Sequence, residues 1–146
     1  RPGPYICGEW DLGGLPWWLL AKPGIELRTW NAPYIAAVDK FWGELLPKLR
    51  PLLYAEGGPI VMVQIENEYG SYGNCKANHN DAKYMSHLLG LAVAALGTDV
   101  VYTTIDNGDD LERGSPWYGN RSVVAANTSG EAVDKSGTQE WIKAPR

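Results

Sequence analysis

The sequence predicts an α/β domain on a parallel sheet, leaning to a barrel over an open doubly wound sheet. Three observations carry that prediction. Strand-like and helix-like segments alternate along the 146 residues, the order that gives parallel strands joined by helical crossovers. No Gly-rich phosphate loop follows any predicted strand, which removes the usual nucleotide-binding reading. Polar residues gather instead at strand carboxyl ends, at Glu9, Glu66 to Glu68 and Asp106. Barrels build their active sites at that end, and open sheets also bind ligands there.

Each element has its own signal. Arg1 to Leu20 is dense in Pro, Gly and Trp and reads as a strand end entering a long ordered loop. Pro23-Gly24 marks a turn. Asn31 suits an N-cap, with Pro33 in the first turn of a helix. Apolar residues follow at Ile35, Val38, Trp42, Leu45, Leu46, Leu49 and Leu52, the spacing of an amphipathic helix. Pro47 should kink that helix or end it early. Gly57-Gly58-Pro59 is a break, and Ile60-Val61-Met62-Val63 reads as a strand buried on both faces. Ser71 to Asn80 is a loop. Asn80 or Asp81 should cap a second helix that carries Tyr84, Leu88, Leu91, Ala92, Ala95 and Leu96 and stops at Gly97. Val100 to Ile105 is the next strand, ending in Asp106-Asn107-Gly108. Val123 to Ala126 is a shorter one ending in Asn127, and a weak helix is expected from about Glu131 to Ile142.

Composition narrows the function classes. Hydrophobic residues make up 45% of the chain, enough for a packed core. The formal charge of −4, without a run of one sign, speaks against nucleic-acid binding. No apolar run is long enough to span a membrane. Seven Trp and eight Tyr stand against one Phe. Such faces suit sugars, but they also fill ordinary cores, and composition alone favours the core. Cys7 and Cys75 do not make a disulfide framework. Two glycosylation triplets, at Asn120 and Asn127, lean toward a secreted or vesicular location. The opening Arg1-Pro2-Gly3-Pro4 and the closing Lys143-Ala144-Pro145-Arg146 read as cuts inside a longer chain.

The chemistry concentrates in Gly57 to Gly70, GGPIVMVQIENEYG. On a regular strand Gln64, Glu66 and Glu68 share one face. Two acids buried side by side are costly unless each is paired. Either they are strand-end carboxylates held by Arg or Lys, or one is a proton donor whose pKa is raised by an apolar pocket. Glycoside hydrolysis needs such an acid and a second carboxylate across the scissile bond. His79 and His87 lack metal-motif neighbours, and no G-x-S-x-G elbow is present. No metal or cofactor is therefore expected.

The stretches RPGPYICGEWDLGGLPWWLL, LLPKLRPLLYAEGGPIVMVQIENEYGSY and TTIDNG closely resemble the β-galactosidases of glycoside hydrolase family 35. Gly57 to Tyr69 matches the family pattern G-G-P, two aliphatics, two variable positions, Q-x-E-N-E and an aromatic. The likeness is close over about residues 1 to 108 and loose beyond. It implies a partial (β/α)₈ barrel, roughly the end of strand 3 through strand 6 with their helices, with residues 1–146 as part of one catalytic domain. It implies a retaining, exo-acting mechanism on terminal β-D-galactose, with Glu68 as general acid/base and Asn67 on the sugar near its 2-hydroxyl. Consecutive side chains reach one site only if the strand end is bulged, and Glu66 then becomes the structural residue. The resemblance also places Cys7, Gly8 and Glu9 against the galactose hydroxyls. Gly8 stands where the family usually has Ala, which should leave a looser backbone contact.

The family's nucleophile is a Glu in an S-E-F/Y-x-T/S-G-W context, and that segment is absent from the sequence. Glu131 and Glu140 lack the context. With about four strands of eight the isolated chain cannot close a barrel and is expected to be inactive. In animal members the equivalent of Cys75 pairs with a later Cys, and none follows here. A galactoside-binding module on a degenerate barrel, or a related β-glucosaminidase, are the alternatives. The family and the glycosylation triplets point to an extracellular, cell-wall, lysosomal or vacuolar setting. Natural substrate and oligomeric state are not readable from the sequence.

Overall fold

The computed structural model describes residues 1–72, 79–106, 124–127 and 132–134. Helix α1 runs over Ala32–Leu49 and helix α2 over His79–Leu96. Four strands, β1 (Met62–Gln64), β2 (Val101–Asp106), β3 (Val124–Asn127) and β4 (Ala132–Asp134), form one sheet in that order. β1, β2 and β3 are parallel, and β4 runs antiparallel to β3.

α1 begins where the sequence places it. The Asn31 side chain accepts from the Tyr34 N–H, and its amide donates to the Gly24 carbonyl at 2.9 Å. Tyr34, Val38, Trp42 and Leu46 repeat every four residues and are buried. Pro47 does not give an early end to the helix, which runs on to Leu49. It lies in the last turn, and the chain continues into a 3₁₀ turn over Arg50–Leu52. The missing N–H of Pro47 thus removes one bond near an end where the helix is already giving way. α2 starts at His79, so Asn80 and Asp81 lie within its first turn instead of capping it. It ends at Leu96, with Gly97 left-handed at φ 89°.

Gly57-Gly58-Pro59 turns the chain from α1's end into β1. Gly57 is left-handed at φ 87°. A Cβ on Gly58 would lie 2.1 Å from the Leu52 carbonyl oxygen. The Gly58 N–H donates to Leu53 at 2.8 Å and the Ile60 N–H to Leu52 at 2.9 Å. That contact is possible only without a side chain.

Val63 pairs with Tyr102, so Val63 and Ile65 share a face with Tyr102, Thr104 and Asp106. Those five are buried, and the apolar ones among them join Leu88, Ala92, Trp42 and Leu46 in one core. The expectation of a strand buried on both faces is corrected here. Val61 and Met62 are each 56% exposed, and Val101 on the neighbouring strand is 47% exposed. β1 is the edge strand of the described sheet.

Two further expectations change. Residues 1–10 contain no strand, so Glu9 stands in irregular chain and not at a strand end. Part of the expected closing helix is β4, because the four residues between β3 and β4 allow a hairpin but no crossover. The rest of that helix, and Asn107-Gly108, lie outside the described residues.

Candidate active site

The carboxyl end of β1 is bulged. The Ile65 N–H donates to the Thr103 carbonyl at 2.8 Å, and the next bond along runs from the Glu68 N–H to the Ile105 carbonyl at 2.9 Å. One strand therefore advances three residues while the other advances two, a one-residue insertion in the ladder. Glu66 (φ 60°) and Glu68 (φ 48°) absorb it in left-handed conformations. Such conformations are strained for residues with a Cβ and persist where surrounding bonds over-determine them. The regular alternation that would have set Glu66 beside Glu68 is broken.

Glu66 turns inward and is fully buried. Its two oxygens receive Arg28 Nε at 3.1 Å and Arg28 Nη2 at 2.8 Å. The Tyr84 hydroxyl donates to it at 2.9 Å and the Asn67 N–H at 2.8 Å. Burial pushes the Glu66 pKa above the ordinary carboxylate value, with the Arg28 guanidinium leading the opposing pulls. On Arg28 burial is the largest single influence and works against the charge, but the opposing pulls together, led by the Glu66 carboxylate, leave its pKa raised.

Arg28 was not singled out by the sequence. Its guanidinium carbon sits 3.8 Å from the ring centre of Tyr5 and 4.0 Å from that of Tyr72. Nη2 also donates to the Asn67 carbonyl at 2.7 Å. The Arg28 carbonyl in turn accepts from the Tyr69 hydroxyl at 2.8 Å. Its only sequence signal was to be a cation inside an otherwise ordinary loop.

Glu68 has different surroundings. It is half-buried, and its carboxylate makes no hydrogen bond or ion pair among the described residues. Asn67 is buried, with its amide oxygen 3.4 Å from Gln64 Nε2. Past Glu68 the chain turns through Tyr69–Ser71, where the buried Asp106 accepts the Gly70 N–H at 2.7 Å. Asp106 thus shapes the segment that follows the carboxylate pair.

Cys7, Gly8 and Glu9 occupy the loop at the other side of Arg28. Cys7 is an exposed free thiol at φ 53°, and its side chain meets the Tyr5 hydroxyl. Gly8 already donates its N–H to Gly13 at 2.9 Å, so a ligand contact from its own peptide atoms falls to the carbonyl. A Cβ there would stand 2.8 Å from three carbons of the Trp10 indole. Glu9 is exposed. No hydrogen bond or ion pair joins Glu9 to Asn67 or Glu68 among the described residues. The two groups are linked through Tyr5, stacked on the guanidinium that holds Glu66 and Asn67.

His87 pairs with Asp39 at 2.6 Å across the two helices, away from these residues in the chain. Among the described residues no three His, Cys, Asp or Glu side chains converge to hold a metal, and no helix is long and apolar enough to cross a membrane. Cys75 and Asn120 lie outside the described residues, and Asn127 ends β3.

The bulged strand end thus sets a carboxylate without a partner among the described residues beside a buried amide. The family model of the glycosyl hydrolases family 35 matches residues 1–141. The chain belongs to that family. It is 53% identical over 118 residues to Beta-galactosidase 17 of Arabidopsis thaliana, covering 79% of this chain and 16% of the relative. It is 57% identical over 106 residues to the Beta-galactosidase of Bos taurus, covering 73% and 16%. With the Beta-galactosidase of Canis lupus familiaris the identity is 54% over 110 residues, covering 75% and 16%. The chain thus spans about one sixth of the length of these relatives.

Proposed function

We propose that residues 1–146 are part of the catalytic (β/α)₈ barrel, roughly the end of strand 3 through strand 6, of a retaining exo-acting β-galactosidase. The observation that carries this is the contrast at the bulge. Glu66 is paired with Arg28, while Glu68 is half-buried and its carboxylate has no partner among the described residues. The names of the relatives supply the substrate class.

Glu68, protonated, donates to the glycosidic oxygen as a nucleophilic carboxylate from outside these residues attacks the anomeric carbon. The C–O bond to the aglycone breaks and a glycosyl-enzyme ester forms. Glu68, now ionised, takes a proton from water, which cleaves the ester and releases galactose with its configuration retained. The two carboxyl groups in such sites lie about 5–5.5 Å apart. Asn67 holds the 2-hydroxyl, a contact that strengthens in the transition state. Cys7, Gly8 and Glu9 hold the other galactose hydroxyls. Asn120 and Asn127 are the glycosylation candidates of a secreted or vacuolar protein.

The test is hydrolysis of an aryl β-D-galactoside by the full-length protein, with NMR of the first sugar released. β-Galactose as the first product supports the reading. Release of the α-anomer refutes retention. Binding without turnover would make the protein a binding module, and faster turnover of a β-glucosaminide would move the substrate class.

A further inference from the structure

The two peptide units flanking Asn67 are bonded at all four polar atoms. The Glu66 carbonyl accepts from Gln64 Nε2 at 2.8 Å, and the Asn67 N–H donates to the Glu66 carboxylate at 2.8 Å. The Asn67 carbonyl accepts from Arg28 Nη2 at 2.7 Å, and the Glu68 N–H donates to Ile105 at 2.9 Å. Three of the four partners are side chains, and two of those three are the members of the buried ion pair. Arg28 Nη2 itself bridges the Glu66 carboxylate and the Asn67 carbonyl.

The rotation of these two peptide planes fixes the directions in which the Asn67 and Glu68 side chains leave the backbone. The left-handed conformations at Glu66 and Glu68 would relax toward ordinary regions without such restraint. The Arg28 guanidinium also packs over the rings of Tyr5 and Tyr72. Its planar fork reaches both acceptors at once, which a lysine ammonium on a flexible stem cannot reproduce.

We propose that Arg28 is a positioning residue for proton donation, acting through Glu66 and the Asn67 peptide to aim the Glu68 carboxyl at the glycosidic oxygen. The inference rests on the acid/base role proposed for Glu68. Misplacing a catalytic group by about 1 Å can cost about 10²-fold in rate. A loss confined to aim has a signature. Weaker sugar binding lowers kcat/KM equally for all galactosides, whereas lost proton donation lowers it most where the leaving group needs the proton.

The experiment uses the full-length protein with Arg28→Lys, and Glu66→Gln as a second variant should the first fail to fold. kcat/KM is measured on an alkyl β-galactoside and on an activated nitrophenyl β-galactoside, with Glu68→Gln run alongside. The expected result is a fall of about 10²-fold on the alkyl substrate and several-fold at most on the activated one. Equal falls on both substrates, or no fall on either, overturn the proposal. If Glu68→Gln shows the split and the Arg28 variant does not, only the positioning role fails. If Glu68→Gln lacks the split, the acid/base reading fails and this proposal falls with it.

Discussion

Glu66 and Glu68 stand two residues apart and meet opposite surroundings. Glu66 is fully buried under four donors from Arg28, Tyr84 and the Asn67 N–H. Glu68 is half-exposed, and its carboxylate has no partner among the described residues. The bulge between them separates a carboxylate held by a buried ion pair from one without a partner among the described residues.

The ion pair should behave as a unit in stability. Arg28→Met leaves a buried carboxylate without its cation and should cost about 3–5 kcal/mol. A double variant, Arg28→Met with Glu66→Leu, should lose less than the sum of the two single losses. Chemical unfolding of the full-length protein checks this. Additive losses would mean that the two side chains are not energetically coupled.

Gly58→Ala should destabilise the turn into β1 by about 1–3 kcal/mol, the usual range for forced overpacking. The added methyl would meet the Leu52 backbone, whose carbonyl accepts from the Ile60 N–H while Leu53 beside it accepts from the Gly58 N–H, so it cannot swing aside as a side chain would. Gly57→Ala strains a left-handed residue instead, with nothing within 4 Å of its Cβ, and should cost less. Thermal midpoints of the two variants give the comparison. A Gly58→Ala protein as stable as the wild type would contradict the packing described.

Much of this architecture was legible in the sequence, and the failures have physical causes. Val38, Trp42 and Leu46 are buried as their helical spacing predicts and the Asn31 cap is local, whereas the predicted apolar face omits Tyr34 and includes Leu52, which is 46% exposed beyond the helix end. The apolar run at β1 marks a strand but not what covers each face, and Val61 and Met62 prove exposed. Glu66 was assigned a structural role through the family likeness. Its partner was not found, because Arg28 lies 38 residues away and no periodicity links them. The partners of Tyr84 and Asp106, both named from the sequence, escaped for the same reason: each bonds a segment distant in sequence.

Alkaline pH should weaken the core. Burial raises the pKa of Tyr34 and of Tyr84, and pushes Tyr102 up to about 12. A raised folded pKa gives stability that is fully present below the unfolded value of about 10 and is lost as pH rises through the folded one. The Tyr102 hydroxyl faces the carbonyls of Ala92 and Gly97 at the end of α2. Tyr102→Phe should therefore cost about 1 kcal/mol near neutrality. That deficit relative to wild type should shrink between pH 10 and 12. Thermal midpoints across this range test it, and a constant deficit would contradict the assignment.

The most direct test of the central claim is the ratio of kcat/KM values for full-length Glu68→Gln on alkyl and activated β-galactosides. Lost general-acid assistance predicts a fall of about 10²–10⁴-fold on the alkyl substrate and a far smaller one on the activated substrate. Uniform, small losses on both would contradict Glu68 as the proton donor.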